Sequence, residues 1–245
     1  MIRTRRGSHM VTLRNHGRGM SAAAGRRRTV VFLIGAPGVG KSTISRLLAD
    51  DFGLHAFQSG QVLRDAARNA KDLQLRRLIA SRMRRSMPMP VEVYCRLLKD
   101  HLPREAGNGL VFDGYPRTVE QAASIPTVLK TVNMTGDRVV GFVLEAPQDV
   151  LIARSAKRLV CGTCGQDTRG EGGCCHAPRL QRRADDSMGP LLARSRRFHE
   201  LLPSVREVFG ARWPCFGIDA GGPKEEVVSS IKQRLQTLPE SVGDV

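Results

Sequence analysis

A continuous apolar segment that runs directly into a glycine-rich turn limits the folds open to this chain more than any other feature. Residues 30–34 read Val-Val-Phe-Leu-Ile, which is typical of a strand buried on both faces of a parallel sheet. Residues 35–43 follow at once as Gly-Ala-Pro-Gly-Val-Gly-Lys-Ser-Thr, and helically spaced apolar residues then continue to Gly53. A strand, a glycine loop and a helix in this order predict an α/β fold with a parallel sheet.

The rest of the chain repeats this alternation of strands and helices. Further strands are predicted at 110–112, 138–144 and 215–218. Helices are predicted at 61–68, 73–85, 91–102, 119–129, 147–158, 185–209 and 224–235. The chain has 245 residues, of which 41% are hydrophobic and 25% charged, enough apolar residues for one large core. No apolar run approaches the ~20 residues of a membrane span, so no membrane partner is expected.

The turn after the first strand matches the phosphate-binding pattern G-x4-G-K-[ST]. Its glycines let backbone N–H groups curve around phosphate oxygens, and the next helix presents its N-terminus to the same anion. Lys41 can reach the terminal phosphates, and the hydroxyl of Ser42 can ligate Mg²⁺. The loop therefore predicts a nucleoside triphosphate site in a P-loop NTPase-type sheet. The residues assigned to the triphosphate are Gly35, Gly38, Val39, Gly40, Lys41, Ser42 and Thr43.

The loop and three further segments resemble the adenylate kinase family of nucleoside monophosphate kinases over about residues 29–240. They are the Gly-Ala-Pro-Gly-x-Gly-Lys loop, Ser-Gly-x-x-Leu-Arg at 59–64, Asp-Gly-[aromatic]-Pro-Arg-Thr at 113–118, and Arg-x-Asp-Asp at 183–186 with a later arginine. The resemblance implies the reaction ATP + AMP ⇌ 2 ADP with Mg²⁺. Kinases for UMP, CMP or another monophosphate are the nearest alternative, and a basic zinc-bearing ATPase that binds nucleic acid is a distant one.

The resemblance also implies a role for each matching residue. Arg64 and Arg117 would bind the AMP phosphate, and Arg183 and Arg194 would clamp the transferring phosphoryl group. The AMP base would contact Ser59, Met89, Gly114 and Gln121. Arg154 would stack on the ATP adenine, Arg158 would meet the ATP phosphates, and Asp113 would hold Mg²⁺ through water. The implied catalytic set is Lys41, Arg117, Arg158, Arg183 and Arg194. Arg84, Arg85, Arg196 and Arg197 are instead predicted to be solvated.

The same resemblance divides the chain into parts. A core (29–57, 91–158 and 183–240) would carry a helical arm at 58–90 that binds the monophosphate and a short lid at 159–182. One position departs from the family, because Gln61 stands where an Asp is usual, so metal affinity or substrate preference is expected to differ. Family members are commonly monomeric, and a monomer is expected here.

Four of the six cysteines lie in the lid segment: Cys161, Cys164, Cys174 and Cys175. A C-x2-C pair followed by further thiols suggests a structural zinc site, with Cys161, Cys164 and two of Cys174, Cys175 and His176 as ligands. Adjacent Cys174 and Cys175 do not fit the usual spacing of the second pair. Reduced thiols and a disulfide therefore remain open interpretations.

The net charge of +16 suggests nucleic acid at first, but half of it belongs to residues 1–28, which hold eight arginines and no acid. This segment is predicted to be a disordered or processed tail, with an organelle transit peptide as one form of processing. The protein is accordingly expected in the cytoplasm or the mitochondrion. The basic residues that remain are expected to bind ATP and AMP rather than nucleic acid.

Overall fold

The computed structural model describes residues 27–102, 107–162, 180–182 and 186–238. A five-stranded sheet lies at its centre, and every neighbouring pair of strands in it is parallel. Its strands in chain order are β1 (Thr29–Gly35), β2 (His55–Gln58), β3 (Gly109–Asp113), β4 (Arg138–Glu145) and, at the far end of the chain, β7 (Cys215–Asp219). Their spatial order is β2-β3-β1-β4-β7, so the predicted α/β fold with a parallel sheet is confirmed.

Strand β1 lies in the middle of the sheet, between β3 and β4, and both of its faces are covered. Val31 lies opposite Val111 of β3 and Val140 of β4, and all three are fully buried. Alternate residues of β1 enter two separate cores, with Phe32 in one and Val31 in the other. Burial on both faces explains why residues 30–34 of this strand are all apolar.

Nine helices occur within the described residues. They are α1 (Lys41–Phe52), α2 (Ser59–Asn69), α3 (Leu73–Arg84), α4 (Val91–His101), α5 (Val119–Ala123), α6 (Ile125–Thr131), α7 (Gln148–Ala156), α8 (Met188–Gly210) and α9 (Lys224–Thr237). The core on one face of the sheet includes apolar residues of α1, α7 and α9, and that on the other includes residues of α2, α3, α4, α6 and α8. The single helix predicted at 119–129 was wrong: the chain forms α5 and α6, and Pro126 lies in the first turn of the second.

Helices α2 and α3 pack on each other as a pair between β2 and α4. Asp72 begins α3 by accepting hydrogen bonds from the backbone N–H groups of Gln74 (2.9 Å) and Leu75 (3.1 Å). Its other oxygen accepts from Arg96 of α4 at 2.7 Å, and the N–H of Leu75 is the main reason that the pKa of Asp72 lies below its usual value. This capping residue therefore ties the helical pair to α4.

The chain enters and leaves the segment predicted as a lid through a short antiparallel pair. The pair consists of β5 (Val160–Cys161) and β6 (Leu180–Gln181), with Cys161 opposite Leu180. Among the described residues, no helix is both long and apolar enough to cross a membrane.

Candidate active site

The phosphate-binding loop joins the carboxyl end of β1 to the N-terminus of α1, as predicted. Gly38 and Gly40 have φ angles of 90° and 103°, a region in which side chains are strained. A β-carbon added at Gly38 would lie 2.5 Å from Ser155 Oγ and 2.7 Å from the carbonyl oxygen of Leu151, both on α7. Glycine at this position therefore lets the loop approach α7 closely.

Lys41 reaches back across this loop. Its Nζ donates to the carbonyl oxygens of Gly35 (2.7 Å) and Ala36 (2.8 Å). The pKa of Lys41 is lowered to about 7, chiefly by burial; Asp113 opposes this shift, and the nearby guanidinium groups of Arg117, Arg158 and Arg194 add to it. A polyphosphate bound beside Nζ would restore the charged form, so this lysine suits an anionic ligand.

Ser42 and Asp113 form the polar floor of the cleft. Ser42 Oγ donates to Asp113 Oδ2 at 2.5 Å, which joins the start of α1 to the end of β3. Asp113 is the one carboxylate among the described residues that line the cleft. A hydroxyl and a carboxylate in contact are the hard oxygen ligands that Mg²⁺ prefers, so these residues fit the predicted metal.

Two guanidinium groups converge near the N-terminus of α2. A β-carbon added at Gly60 would lie 3.3 Å from Arg64 Nη1 and 3.9 Å from Arg117 Nη2. Arg117 is held by its Nε, which donates to the carbonyl oxygen of Gly114 at 2.6 Å. Gly114 has a φ of 78°, and a β-carbon there would lie 2.7 Å from Arg117 Nη2. Two arginines beside a helix N-terminus provide the kind of hydrogen-bond donors that a phosphate group needs.

Two polar residues assigned to the AMP base are engaged with the protein backbone. Ser59 is fully buried, and its Oγ donates to the carbonyl oxygens of Asp113 (2.7 Å) and Gly114 (3.1 Å). Gln121 donates from Nε2 to the carbonyl oxygen of Met89 at 2.9 Å and accepts the backbone N–H of Arg117 at 2.8 Å. Met89 is buried in the core beside the cleft, which it also lines.

A second group of arginines consists of Arg154 on α7, Arg158 just after α7 and Arg194 on α8. Asp186 is the ion-pair partner of Arg158, with Nε 2.7 Å from Oδ2 and Nη2 bonded to Oδ1, and Arg194 Nη2 lies 3.5 Å from Oδ1. Only 4% of the Asp186 side chain is exposed. Arg154 donates to the backbone carbonyls of Ala220 (2.6 Å) and Gly222 (2.8 Å), beyond β7. These contacts fix three guanidinium groups around one end of the cleft.

The sequence model of the adenylate kinase family matches residues 33–243. The chain belongs to the adenylate kinase family. It is 27% identical to the adenylate kinase of Paracoccus denitrificans, over 85% of this chain and 98% of that protein. It is 30% identical to the adenylate kinase of Streptomyces avermitilis (84% and 96%) and 29% identical to that of Hydrogenobaculum (84% and 100%). Its fold is the α/β fold with a central parallel sheet that is expected of the family.

Most residues that the family resemblance assigned to ATP, AMP or Mg²⁺ line one cleft. They are Gly35, Gly38, Gly40, Lys41, Ser42, Thr43, Arg64, Met89, Asp113, Gly114, Arg117, Gln121, Arg154, Arg158 and Arg194. The side chain of Val39 is buried in the core instead, and a role for this residue would fall to its backbone. Their assignment to individual substrates stays a prediction.

Arg183 and the cysteines Cys164, Cys174 and Cys175 lie outside the described residues. Cys161 is buried in β5. The described part of the chain contains no group of three or more metal-ligating side chains, and structural zinc stays a prediction.

One arginine that was predicted only to be solvated also lines the cleft. Arg197 was predicted to be solvated together with Arg196, and both are exposed, but Arg197 also lines the cleft. It lies three residues after Arg194, a spacing that places both residues on one face of a helix and could have revealed it.

Proposed function

We propose that this protein transfers the γ-phosphoryl group of ATP to the phosphate of AMP in a reversible reaction that yields two ADP molecules. The cleft that joins the Lys41 loop to the arginine pair Arg64 and Arg117 carries this proposal, since it offers two phosphate-binding groups that face one carboxylate, Asp113. The names of the relatives and the family support the choice of ATP and AMP.

Each end of the cleft would hold one nucleotide. On the donor side, the loop and Lys41 would bind the ATP phosphates, and Arg158 would meet the same oxygens. Arg154, already fixed by carbonyls beyond β7, would lie against the ATP base. On the acceptor side, Arg64 and Arg117 would bind the AMP phosphate, while Met89 would contact the base. Gly114, Gln121 and Ser59 would shape this side through their backbone contacts.

Phosphoryl transfer depends on positioning and on electrostatic stabilisation of the charge in the transition state. Lys41, Arg158 and Arg194 would surround the transferring group, with Arg183 as a further member. Burial, with a further contribution from the neighbouring arginines, lowers the pKa of Lys41 in the free enzyme, and bound phosphates would favour its charged form. Asp186 would keep Arg158 and Arg194 aligned for this event.

Ser42 and Asp113 would hold Mg²⁺, directly or through water, beside the ATP phosphates. The ion, when bound, would neutralise phosphate charge and orient the oxygens for in-line transfer. Ser42 would keep its place at the first turn of α1, where its hydroxyl faces the anion.

We also propose that residues 58–90 form the monophosphate-binding arm and 159–182 a lid on the 29–240 domain. The pairing of α2 with α3, and of β5 with β6, supports these divisions. Closure of both would exclude water, which would otherwise hydrolyse ATP. We assign the enzyme to the cytoplasm or the mitochondrion, since its reaction needs ATP and AMP, and we propose a monomer because members of the family are commonly monomeric.

A coupled assay of ADP formation with ATP, Mg²⁺ and each of AMP, UMP, CMP and dAMP tests the proposal. We expect AMP to have the highest kcat/KM. Arg117→Ala should abolish transfer in a folded protein, whereas Arg84→Ala, which removes an exposed arginine of α3, should not. A higher kcat/KM for UMP or CMP would refute AMP as the acceptor, and full activity of Arg117→Ala would refute its assigned role.

A further inference from the structure

Helix α8 presents one continuous face to the cleft. Arg194, Arg197, Phe198 and Leu201 line it, at intervals of three, four and seven residues that fall on one side of a helix. Arg196 is exposed and is not among the lining residues. Arg197 is therefore positioned toward a ligand, while its neighbour Arg196 offers a natural control.

Arg197 lies away from the phosphate centre. Arg194 contributes to the lowered pKa of Lys41 and lies 3.5 Å from Asp186, whereas Arg197 is not among the charges that perturb Lys41. Three residues separate the two arginines by about 4.5 Å along the helix axis. Met83, Met87 and Met89 of the arm line the same cleft, and they suit an aromatic base better than a phosphate.

The two polar side chains that the family pattern assigns to the acceptor base are already engaged with the protein. Ser59 is fully buried, and both polar atoms of the Gln121 amide already bond to the backbone. Among the described residues, Arg197 makes no ion pair that would hold it elsewhere. A guanidinium is planar and stacks on aromatic faces, so Arg197 can supply the missing contact.

We propose that Arg197 is a specificity-determining residue of the acceptor site, whose guanidinium stacks on the face of the adenine base opposite the methionines. This proposal rests on the proposed function. It predicts that Arg197 contributes to the affinity for the base and not to that for the phosphate, and that a purine gains more than a pyrimidine because its face is larger.

Titration calorimetry without ATP separates the base from the phosphate. AMP and ribose 5-phosphate are each titrated into the full chain and into Arg197→Ala, Arg197→Lys and Arg196→Ala. We expect Arg197→Ala to weaken AMP binding about three- to tenfold, the range expected for a cation–π contact, with ribose 5-phosphate unchanged. In steady state, the KM for AMP should rise by the same factor while kcat and the KM for ATP stay constant.

The controls make each outcome decisive. Arg196→Ala should match the wild-type protein, and Arg197→Lys should recover only part of the AMP affinity because an ammonium is not planar. If Arg197→Ala lowers the affinity for AMP and for ribose 5-phosphate equally, Arg197 acts through its charge and the stacking proposal is wrong. If neither affinity falls, Arg197 does not contact the acceptor nucleotide. A wild-type protein that does not phosphorylate AMP would refute the proposed function instead, a result independent of the Arg197 variants.

Discussion

The substitution Gly114→Ala tests how the fold positions Arg117. Gly114 has a φ of 78°, where an alanine costs about 1–2 kcal/mol relative to glycine. The new methyl group would lie 2.7 Å from Arg117 Nη2 and 3.0 Å from Ser59 Oγ, whereas ordinary contacts begin at 3.4 Å. The guanidinium must therefore move by at least about 0.7 Å, and a shift of about 1 Å at a reacting group can cost a hundredfold in rate.

We accordingly expect kcat/KM for AMP to fall about a hundredfold, with the KM for ATP within about twofold of wild type. The melting temperature should fall by about 2–8 °C, from the backbone cost alone. Gly136→Ala is the matched control, since Gly136 lies in a turn without a positive φ and a β-carbon there meets nothing within 4 Å. If the coupled assay gives Gly114→Ala and Gly136→Ala the same kcat/KM for AMP, Arg117 does not depend on this glycine and the reasoning is wrong.

Three further predictions concern the rest of the site and the tail. When ATP binds, the protein should take up nearly one proton per site at pH 8 and almost none at pH 6, because the pKa of about 7 at Lys41 rises when phosphates bind. Calorimetry in buffers of different ionisation enthalpy measures this proton uptake, and Lys41→Met should abolish it. Asp186→Asn should lower kcat at least tenfold by freeing Arg158, whereas Asp51→Asn, at an exposed ion pair, should leave kcat unchanged. Deletion of residues 1–26 should change neither kcat nor KM, since β1 begins about 20 Å from the cleft end of the strand.

The sequence was most informative for elements whose burial determines the pattern of apolar and polar residues. Strand β1 is buried on both faces, so its apolar run has one interpretation, and the phosphate loop follows it as expected. Strand β2 (His55–Gln58) was missed because it has four residues and only Phe57 of them is buried, too little for a strand pattern to emerge. The break between α5 and α6 was missed because apolar spacing continues across it, although Pro126 marks it.

The candidate site shows the same limit. Motif spacing identified the residues, and the fold brings most of those within the described part of the chain into one cleft, with Val39 and Ser59 buried beside it. Spacing alone does not reveal that Ser59 Oγ and Gln121 Nε2 donate to backbone carbonyl groups, because those carbonyls are distant in sequence. Arg196 and Arg197 received the same interpretation, although the spacing from Arg194 places only Arg197 on the same face of α8.

The short pair of β5 and β6 has a consequence for how the chain tolerates change. Because Cys161 and Leu180 lie opposite each other, the chain departs from the core and returns to it at neighbouring points. Loop closure at such a base depends weakly on the number of residues between the ends. Insertions, deletions or a foreign module between these positions should therefore leave Arg158 and Asp186 in place, so this part of the sequence is free to diverge faster than the cleft it adjoins.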